Sequence, residues 1–273
     1  MKFAALVLTQ NEERHIAECL RSLAPALRVV MIDSGSTDAT RDLVAGFPGV
    51  EWVMRPFTNF SEQRNFGLER FAPQEWVLHL DADERLTPAL AAELEALVPG
   101  GDVPAYNIAS RTLLDGRAID RASGYPVYQT RLTRGSFRFV EVGHGQKAAP
   151  GLGPLPALRE PYTHLPFEKG HEEWLARHRR YAAREADDLV TAGQNYTLGQ
   201  AVRDPIARRQ WLKQRTARLR IRPALVWLYL MLWRRGVLDG PPGWKYCRLR
   251  ATYEQMVLDA IRKRPAIPSG FVS

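Results

Sequence analysis

The chain has 273 residues, 45% hydrophobic and 25% charged, a globular composition with room for one α/β domain of ordinary size and a substantial appendage. Its 38 Lys and Arg against 30 Asp and Glu give a net charge of +8, which favours anionic partners: nucleic acid, acidic lipid or phosphorylated small molecules. Its two cysteines, Cys19 and Cys247, lie far apart and in no metal-ligand spacing, which excludes a disulfide framework and fits a reducing compartment.

The apolar run from Phe3 to Leu8 is too short for the core of a signal peptide, and Glu12 and Glu13 follow it with no small-residue cleavage site. It reads as a strand buried on both faces, in a cytoplasmic protein. Asn11 is placed to cap a helix whose apolar residues Ile16, Cys19, Leu20 and Leu23 recur at helical spacing. Val29 to Ile32 is a second strand ending at Asp33, and Ser36-Thr37-Asp38 offers cap chemistry for a helix toward Ala45. Val50 to Met54 is a third strand, Ser61 to Phe71 a third helix, and Trp76 to Leu80 a fourth strand ending at Asp81. Thr87-Pro88 starts a helix that stops at Pro99-Gly100-Gly101.

Strands alternating with helices predict an α/β fold, a mainly parallel twisted sheet flanked by helices. Ligands in such sheets bind beyond the carboxyl ends of the strands, where Thr9 to Glu12, Asp33-Ser34 and Asp81-Ala82-Asp83 would gather. From Tyr106 to Lys147 shorter strands follow, with hairpin turns at Leu114-Asp115-Gly116-Arg117 and Thr133-Arg134-Gly135-Ser136. From Gly170 the pattern is helical: Trp174 to Val190, a basic stretch from Arg203 to Arg222, an apolar stretch from Pro223 to Trp233, a break from Gly236 to Gly243, and a helix from Trp244 to Arg264. The domain expectation is therefore 1–165 for the sheet and 166–273 for a helical, basic extension.

The sharpest chemical signal is Asp81-Ala82-Asp83-Glu84, directly after a buried strand. Carboxylates two residues apart can point at one site, and their hard oxygens suit Mg²⁺ or Mn²⁺, which also bind phosphate oxygens and water. A divalent cation there would stabilise a departing diphosphate. A solvated acidic turn is the plain alternative. Asp33-Ser34-Gly35-Ser36-Thr37-Asp38 makes a tight polar turn before a helix, and its Asp33 could accept from a base or ribose hydroxyl. Thr9-Gln10-Asn11-Glu12-Glu13 lies beside it and could hold the same groups. Gln63-Arg64-Asn65 on the third helix could face a nucleotide or phosphate, or solvent.

These four segments, in this order and at these separations, resemble glycosyltransferase family 2, and within it bacterial enzymes of lipopolysaccharide core, capsule or exopolysaccharide synthesis. The resemblance is firm over the first hundred residues and looser through Glu141-Val142-Gly143-His144-Gly145-Gln146 and Leu238-Asp239-Gly240. It implies a GT-A fold and transfer of a sugar from a nucleotide-diphosphate donor, UDP by default, to a hydroxyl of a glycan or lipid-linked acceptor, with inversion. It implies that Thr9, Asn11, Glu12, Asp33 and Ser34 lie near the base and ribose, with Gln63, Arg64 and Asn65 also on the donor. Asp81 would face ribose or metal, and Asp83 would hold the metal and so serve catalysis. Relatives often carry tyrosine at position 10, where this chain has Gln10. Inverting transfer needs a carboxylate to take the acceptor proton; Glu141 is the candidate, with Asp115 and Asp120 as competitors. Relatives carry a His-Glu pair in that stretch, which Val142 and His144 match imperfectly; His144 is a further candidate for the metal.

The arginines from Arg203 to Arg222, followed by Leu225 to Trp233, are too short an apolar run to span a bilayer. They suit a helix in the interface of an anionic membrane, or one packed on the sheet. The first reading expects an enzyme peripheral to the inner face of the cytoplasmic membrane. Two other functions fit parts of the pattern. A haloacid-dehalogenase-type phosphatase would use Asp81 and Asp83, but that family expects the motif on its first strand, and Arg85 stands where Thr or Val belongs. A basic nucleic-acid-binding protein would use the arginines, but no zinc, RRM or homeodomain signature is present, so no specific nucleic acid is expected. A dehydrogenase is disfavoured because no Gly-x-Gly-x-x-Gly follows the first strand.

Overall fold

The computed structural model describes residues 1–142, 145–149, 152–191 and 197–264. Its first elements are β1 (Ala4–Thr9), α1 (Ile16–Ser22), β2 (Val29–Asp33), α2 (Thr40–Ala45), β3 (Val50–Met54), α3 (Phe60–Leu68), β4 (Trp76–Asp81), β5 (Glu84–Arg85) and α4 (Pro88–Ala96). There follow β6 (Ala105–Leu114), β7 (Arg117–Ala118), α5 (Asp120–Ser123), β8 (Val127–Arg134), β9 (Phe139–Val142), β10 (Gly145–Ala148) and β11 (Tyr162–His164). The chain divides into two units, one of Met1–Gly116 with Tyr125–Glu168, the other of Arg117–Gly124 with Lys169–Ser273.

In the first unit the strands lie in the order β3-β2-β1-β4-β8-β6-β11-β5. The pairs β3–β2, β2–β1 and β1–β4 are parallel. The chain builds outward from β1 through β2 to β3, then returns through α3 to place β4 on the other side of β1. That reversal leaves a crevice beyond the carboxyl ends of β1 and β4, the position where open α/β sheets bind ligands. Beyond β4 the sheet becomes mixed: β8 is antiparallel to both β4 and β6, and β11 is parallel to β6. The start of β8 and the ends of β6 and β11 therefore share the edge at which β4 ends.

Every residue of β1 and β2 is buried, as their unbroken apolar runs require of strands covered on both faces. One core packs Ile16, Leu20, Val44, Leu90 and Leu94 of α1, α2 and α4 on one face of the sheet; a second packs Leu68, Phe71, Phe137 and Phe139 on the other. Close approach of α3 depends on Gly67, where a Cβ would lie 2.5 Å from Leu6 Cδ1. Two caps behave as their residue types predict: Asn59 accepts from Glu62 N at 2.8 Å, and Thr87 Oγ1 from Leu90 N at 3.1 Å.

Local expectations fail in three places. Asn11 does not cap α1: its φ is 53°, the helix starts at Ile16, and the Asn11 side chain serves the neighbouring loop instead. The Thr133–Ser136 segment is a turn but not a hairpin, since β8 pairs with β4 and β6 while β9 pairs with β10. Gly135 is needed there because a Cβ would lie 2.2 Å from the Ala72 carbonyl oxygen. The last helix begins at Gly240 rather than at Trp244, because Pro241 and Pro242 lack N–H groups that the first turn would leave unused in any case.

The second unit continues with α6 (His171–Thr191), α7 (Leu198–Arg203), α8 (Pro205–Thr216), α9 (Arg222–Leu228), a π-helical turn over Tyr229–Trp233, a 3₁₀ turn over Gly236–Asp239 and α10 (Gly240–Arg262). Trp174 stacks on His178 with ring centroids 3.8 Å apart, and Tyr253 donates to Glu185 Oε2 at 2.7 Å. Arg222 and Glu254, both buried, pair at 2.8 Å. Among the described residues no helix is long and apolar enough to cross a membrane.

Candidate active site

The loops after β1 and β2 are tied to each other. Asn11 N donates to Ser36 Oγ at 2.8 Å while Asn11 Oδ1 accepts from Thr37 N at 2.7 Å. Glu12 N donates to Thr40 Oγ1 at 2.8 Å, and Glu13 N to Asp38 Oδ2 at 3.1 Å. Burial opposes charge on Asp38, yet the Thr40 hydroxyl and nearby backbone N–H groups hold its carboxyl below the usual range. Asp33 is buried and turned onto its own loop, accepting from Gly35 N and Ser36 N at 2.9 Å each. Gly35, at φ 93°, supplies the left-handed turn. The two loops thus form a braced rim over the ends of β1 and β2, with Thr9 buried beneath them.

Three consecutive residues of α3 reach three different targets, as steps of about 100° around a helix dictate. Gln63 Nε2 donates to Ser34 Oγ at 3.0 Å and to the Arg55 carbonyl at 3.0 Å. Arg64 Nη2 donates to Asp81 Oδ1 at 2.7 Å. Asn65 donates to the Phe139 carbonyl and accepts from Phe139 N, both at 2.9 Å, which ties α3 to the strand that carries Glu141.

At the end of β4 the charges form a buried cluster. Arg131 Nη2 lies 2.6 Å from Glu84 Oε1 and 3.2 Å from Asp81 Oδ2, and Glu84 Oε2 accepts from Asp81 N at 2.8 Å. Asp81 therefore has each carboxylate oxygen on an arginine, Arg64 and Arg131, which are 1% and 3% exposed. Burial alone would raise the Asp81 carboxyl, but the two guanidiniums outweigh it and hold it below the usual range. Burial pushes the Glu84 carboxyl up to about 7, against the pull of Arg131. Arg131 also lies over the Tyr162 ring, 5.1 Å from its centroid.

Arg131 owes its position to an irregularity. Opposite β6, Leu132 pairs with Tyr106 but Thr130 pairs with Asn107, so Arg131 is an extra residue in β8. Arg131, Leu132 and Thr133 are all buried in succession. Such bulges re-aim side chains, and this one aims a guanidinium at the crevice.

Asp83 sits one turn beyond Asp81 with its Oδ2 3.5 Å from His164 Nε2. Burial works against the His164 cation, and Asp83 outweighs it, so the imidazole is raised above its ordinary value. The antiparallel pairing of β5 with β11 sets this meeting, with Glu84 opposite His164. Among the described residues no three His, Cys, Asp or Glu side chains form a metal cage. Mg²⁺ does not need one, since it is bound through one or two carboxylates with phosphate and water, so Asp83 fits such an ion; His164 would join it only as the neutral imidazole. Glu141 lies exposed on β9, opposite Gln146 of β10. His144 lies outside the described residues. Asp115 stands at a turn with φ 52°, and Asp120 belongs to the second unit.

The structure thus brings Thr9, Ser34, Gln63, Arg64, Asp81 and Asp83 to one sheet edge, while Asn11, Asp33 and Asn65 spend their side chains on neighbouring backbone. Arg131, Tyr162 and His164 are absent from the sequence reading. Each is brought there by pairing between distant strands, which no local pattern marks.

The glycosyl transferase family 2 model matches residues 5–125. The lipopolysaccharide core biosynthesis glycosyltransferase LpsC of Rhizobium meliloti (strain 1021) is 30% identical over 207 residues, 71% of this chain and 74% of that one. A glycosyltransferase of Rickettsia bellii is 34% identical over 95 residues, 34% of this chain and 32% of the other. Among solved structures, glucosyl-3-phosphoglycerate synthase from Mycobacterium tuberculosis, in complex with Mn²⁺, UDP and glucosyl-3-phosphoglycerate, shares 19% identity over 45% of this chain and 47% of its own, with a TM-score of 0.33. The sequence likeness spans most of this chain and most of the Rhizobium enzyme, and the family model covers β1 to β4, whose ends border the crevice; the chain is a glycosyltransferase of family 2 with a GT-A fold.

Proposed function

We propose that the chain is a divalent-cation-dependent, inverting glycosyltransferase that moves a sugar from a nucleotide-diphosphate donor, UDP-sugar by default, to a hydroxyl of a glycan or lipid-linked acceptor in cell-surface polysaccharide synthesis. The observation that carries it is the pair Asp83–His164 beside the arginine-clamped Asp81 at the switch point of the sheet. Asp83 and His164 would hold Mg²⁺ or Mn²⁺. When bound, the ion neutralises charge on the diphosphate. His144 remains a candidate for the same role.

In this reading Thr9, Ser34 and Gln63 line the nucleoside end of the crevice, under a rim stiffened by Asn11, Glu12 and Asp33. Arg64 spends only Nη2 on Asp81; its buried Nε and Nη1 have no protein acceptor among the described residues, and a donor oxygen would satisfy them. Asp81 faces the ribose. Glu141, on the strand that Asn65 fastens to α3, takes the acceptor proton. The acceptor oxygen then bonds to the anomeric carbon from the face opposite the diphosphate, and the carbon–oxygen bond breaks with its electron pair on the leaving group. The likeness to LpsC and the basic second unit support placing the enzyme at the cytoplasmic face of an anionic membrane.

A panel of nucleotide sugars, assayed for transfer or donor hydrolysis with and without chelator, tests this. Chelation abolishes turnover, and Asp83→Ala abolishes it with the circular dichroism spectrum unchanged. Full activity of Asp83→Ala would refute the assignment.

A further inference from the structure

We propose that the outer side of α9, its π-helical turn and the tip that follows is a docking surface for an anionic lipid bilayer. The proposal rests on the membrane-peripheral reading above and gives it a surface and a set of residues.

This segment is apolar on two sides. Inward, Trp227, Leu230 and Met231 pack with Ala122 and Cys247. Outward, Leu225, Leu228, Tyr229, Leu232 and Trp233 form a second stripe at helical spacing, with Leu232 66% and Trp233 80% exposed. A helix with hydrophobic residues all round belongs inside a core or in lipid, and among the described residues the outer stripe stays exposed. The tip continues it with exposed Leu238 and Trp244. Two arginines are placed the other way. Arg222 is buried against Glu254, and Arg234 lies so close to Gly124 that a Cβ there would be 2.4 Å from its Nη2. An arginine drawn in beside a tryptophan left out is unfavourable against water and favourable against hydrocarbon.

Charge selects the kind of lipid. Between residues 205 and 250 the chain carries twelve Lys and Arg and a single acid, Asp239. That acid is turned inward, accepting from Ala122 N at 2.7 Å. Arg218 and Arg220 precede the stripe, and Arg235, Lys245 and Arg248 follow it, all exposed. Aromatic residues among arginines, on a helix too short to cross, match an element lying at the headgroup level of an anionic leaflet. Nucleic acid would use the arginines but leave the Leu-Tyr-Leu-Trp stripe in water.

The test is flotation of the full chain with vesicles of phosphatidylcholine alone or with about a third phosphatidylglycerol. Binding is expected only to the anionic vesicles, weakening as salt rises. Leu228→Gln/Leu232→Gln/Trp233→Gln is expected to bind at least about tenfold more weakly, and Arg218→Ala/Arg220→Ala roughly thirtyfold more weakly; both keep the parent's circular dichroism and donor hydrolysis. The proposal is overturned if the parent ignores anionic vesicles. It is also overturned if the triple variant binds them as the parent does, or if the parent is a dimer that the triple variant converts to a monomer with vesicle binding unchanged. It fails as well if single-stranded RNA binds the parent and the triple variant alike while vesicles bind neither. Because flotation needs no sugar, loss of transfer with vesicle binding intact removes the enzyme reading alone, and the converse removes only this surface.

Discussion

Replacing Arg131 by Met tests whether the charge cluster holds the crevice together. Methionine keeps the apolar stem and removes the guanidinium, so Glu84 loses its partner at 2.6 Å and Asp81 one of two. Breaking a buried pair from one side costs about 3–5 kcal/mol. The cost is limited here because Glu84 can protonate: burial already pushes its carboxyl to about 7, with Arg131 opposing. Without Arg131 that carboxyl rises further. An acid whose folded value lies above its unfolded one holds a proton that the unfolded chain releases, so its stabilisation is present at low pH and lost as pH rises through the window between the two. The variant is therefore expected to lose about 2–4 kcal/mol near neutral pH. Its stability should also fall more steeply than the parent's, by about 1 kcal/mol more between about pH 6 and about pH 8. Adding Glu84→Gln, which keeps an acceptor for Asp81 N without charge, should return about 1–3 kcal/mol and flatten the profile. Urea unfolding followed by fluorescence at both pH values measures this. A loss under about 1 kcal/mol with no recovery in the double variant would refute the idea that opposed charges organise this edge.

Four further outcomes follow from particular contacts. Asp81→Asn should cost about 2–3 kcal/mol of stability through its two arginines, where Asp83→Asn should cost turnover with little change in unfolding midpoint. Asn65→Ala should lose about 1–3 kcal/mol by leaving Phe139 N and O without partners, and its transfer rate should fall with the loosened Glu141 strand, as unfolding and turnover assays would show. Gly135→Ala should destabilise by more than a surface change, about 2 kcal/mol or more, because the added methyl meets a backbone carbonyl rather than a mobile side chain. Burial lowers His178 to about 4, so the folded chain refuses a proton that the unfolded chain takes; stability should fall as pH drops from about 6.5 toward about 4, and His178→Gln should flatten that part of the urea profile.

What the sequence made legible was what depends on burial over short spans. β1, β2 and β4 are largely apolar runs because covered strands demand them, and their ends mark the positions of Thr9, Ser34 and Asp81. What stayed hidden depends on pairing between distant segments. Nothing local says that β8 will carry an extra residue opposite Tyr106 and Asn107, yet that residue is Arg131. His164 meets Asp83 only because β11 turns beside β5. Asn11 departs from its expected role for a related reason: its cap chemistry is real, but Thr37 N, twenty-six residues away in sequence, competes for it and wins. The polar triplet on α3 was recognised as a cluster, and its division among Ser34, Asp81 and Phe139 follows from helix geometry once those neighbours are in place.

The two acids of the Asp81-Ala82-Asp83 motif are separated by the same pairing of distant segments. Spacing by two residues invites the view that both carboxylates point at one ion, as they would along an extended strand. The strand does not continue: β4 stops at Asp81, and Glu84 folds back to take the Asp81 N–H. The turn carries Asp83 to His164 and leaves Asp81 between two guanidiniums. A carboxylate with both oxygens on arginines is a poor ligand for a hard cation and a good anchor for the turn that presents its neighbour. In the proposed function, holding the geometry and meeting the ion would then be tasks for different residues, and the arginines that fix Asp81 would also bring positive charge to the place where a diphosphate would rest.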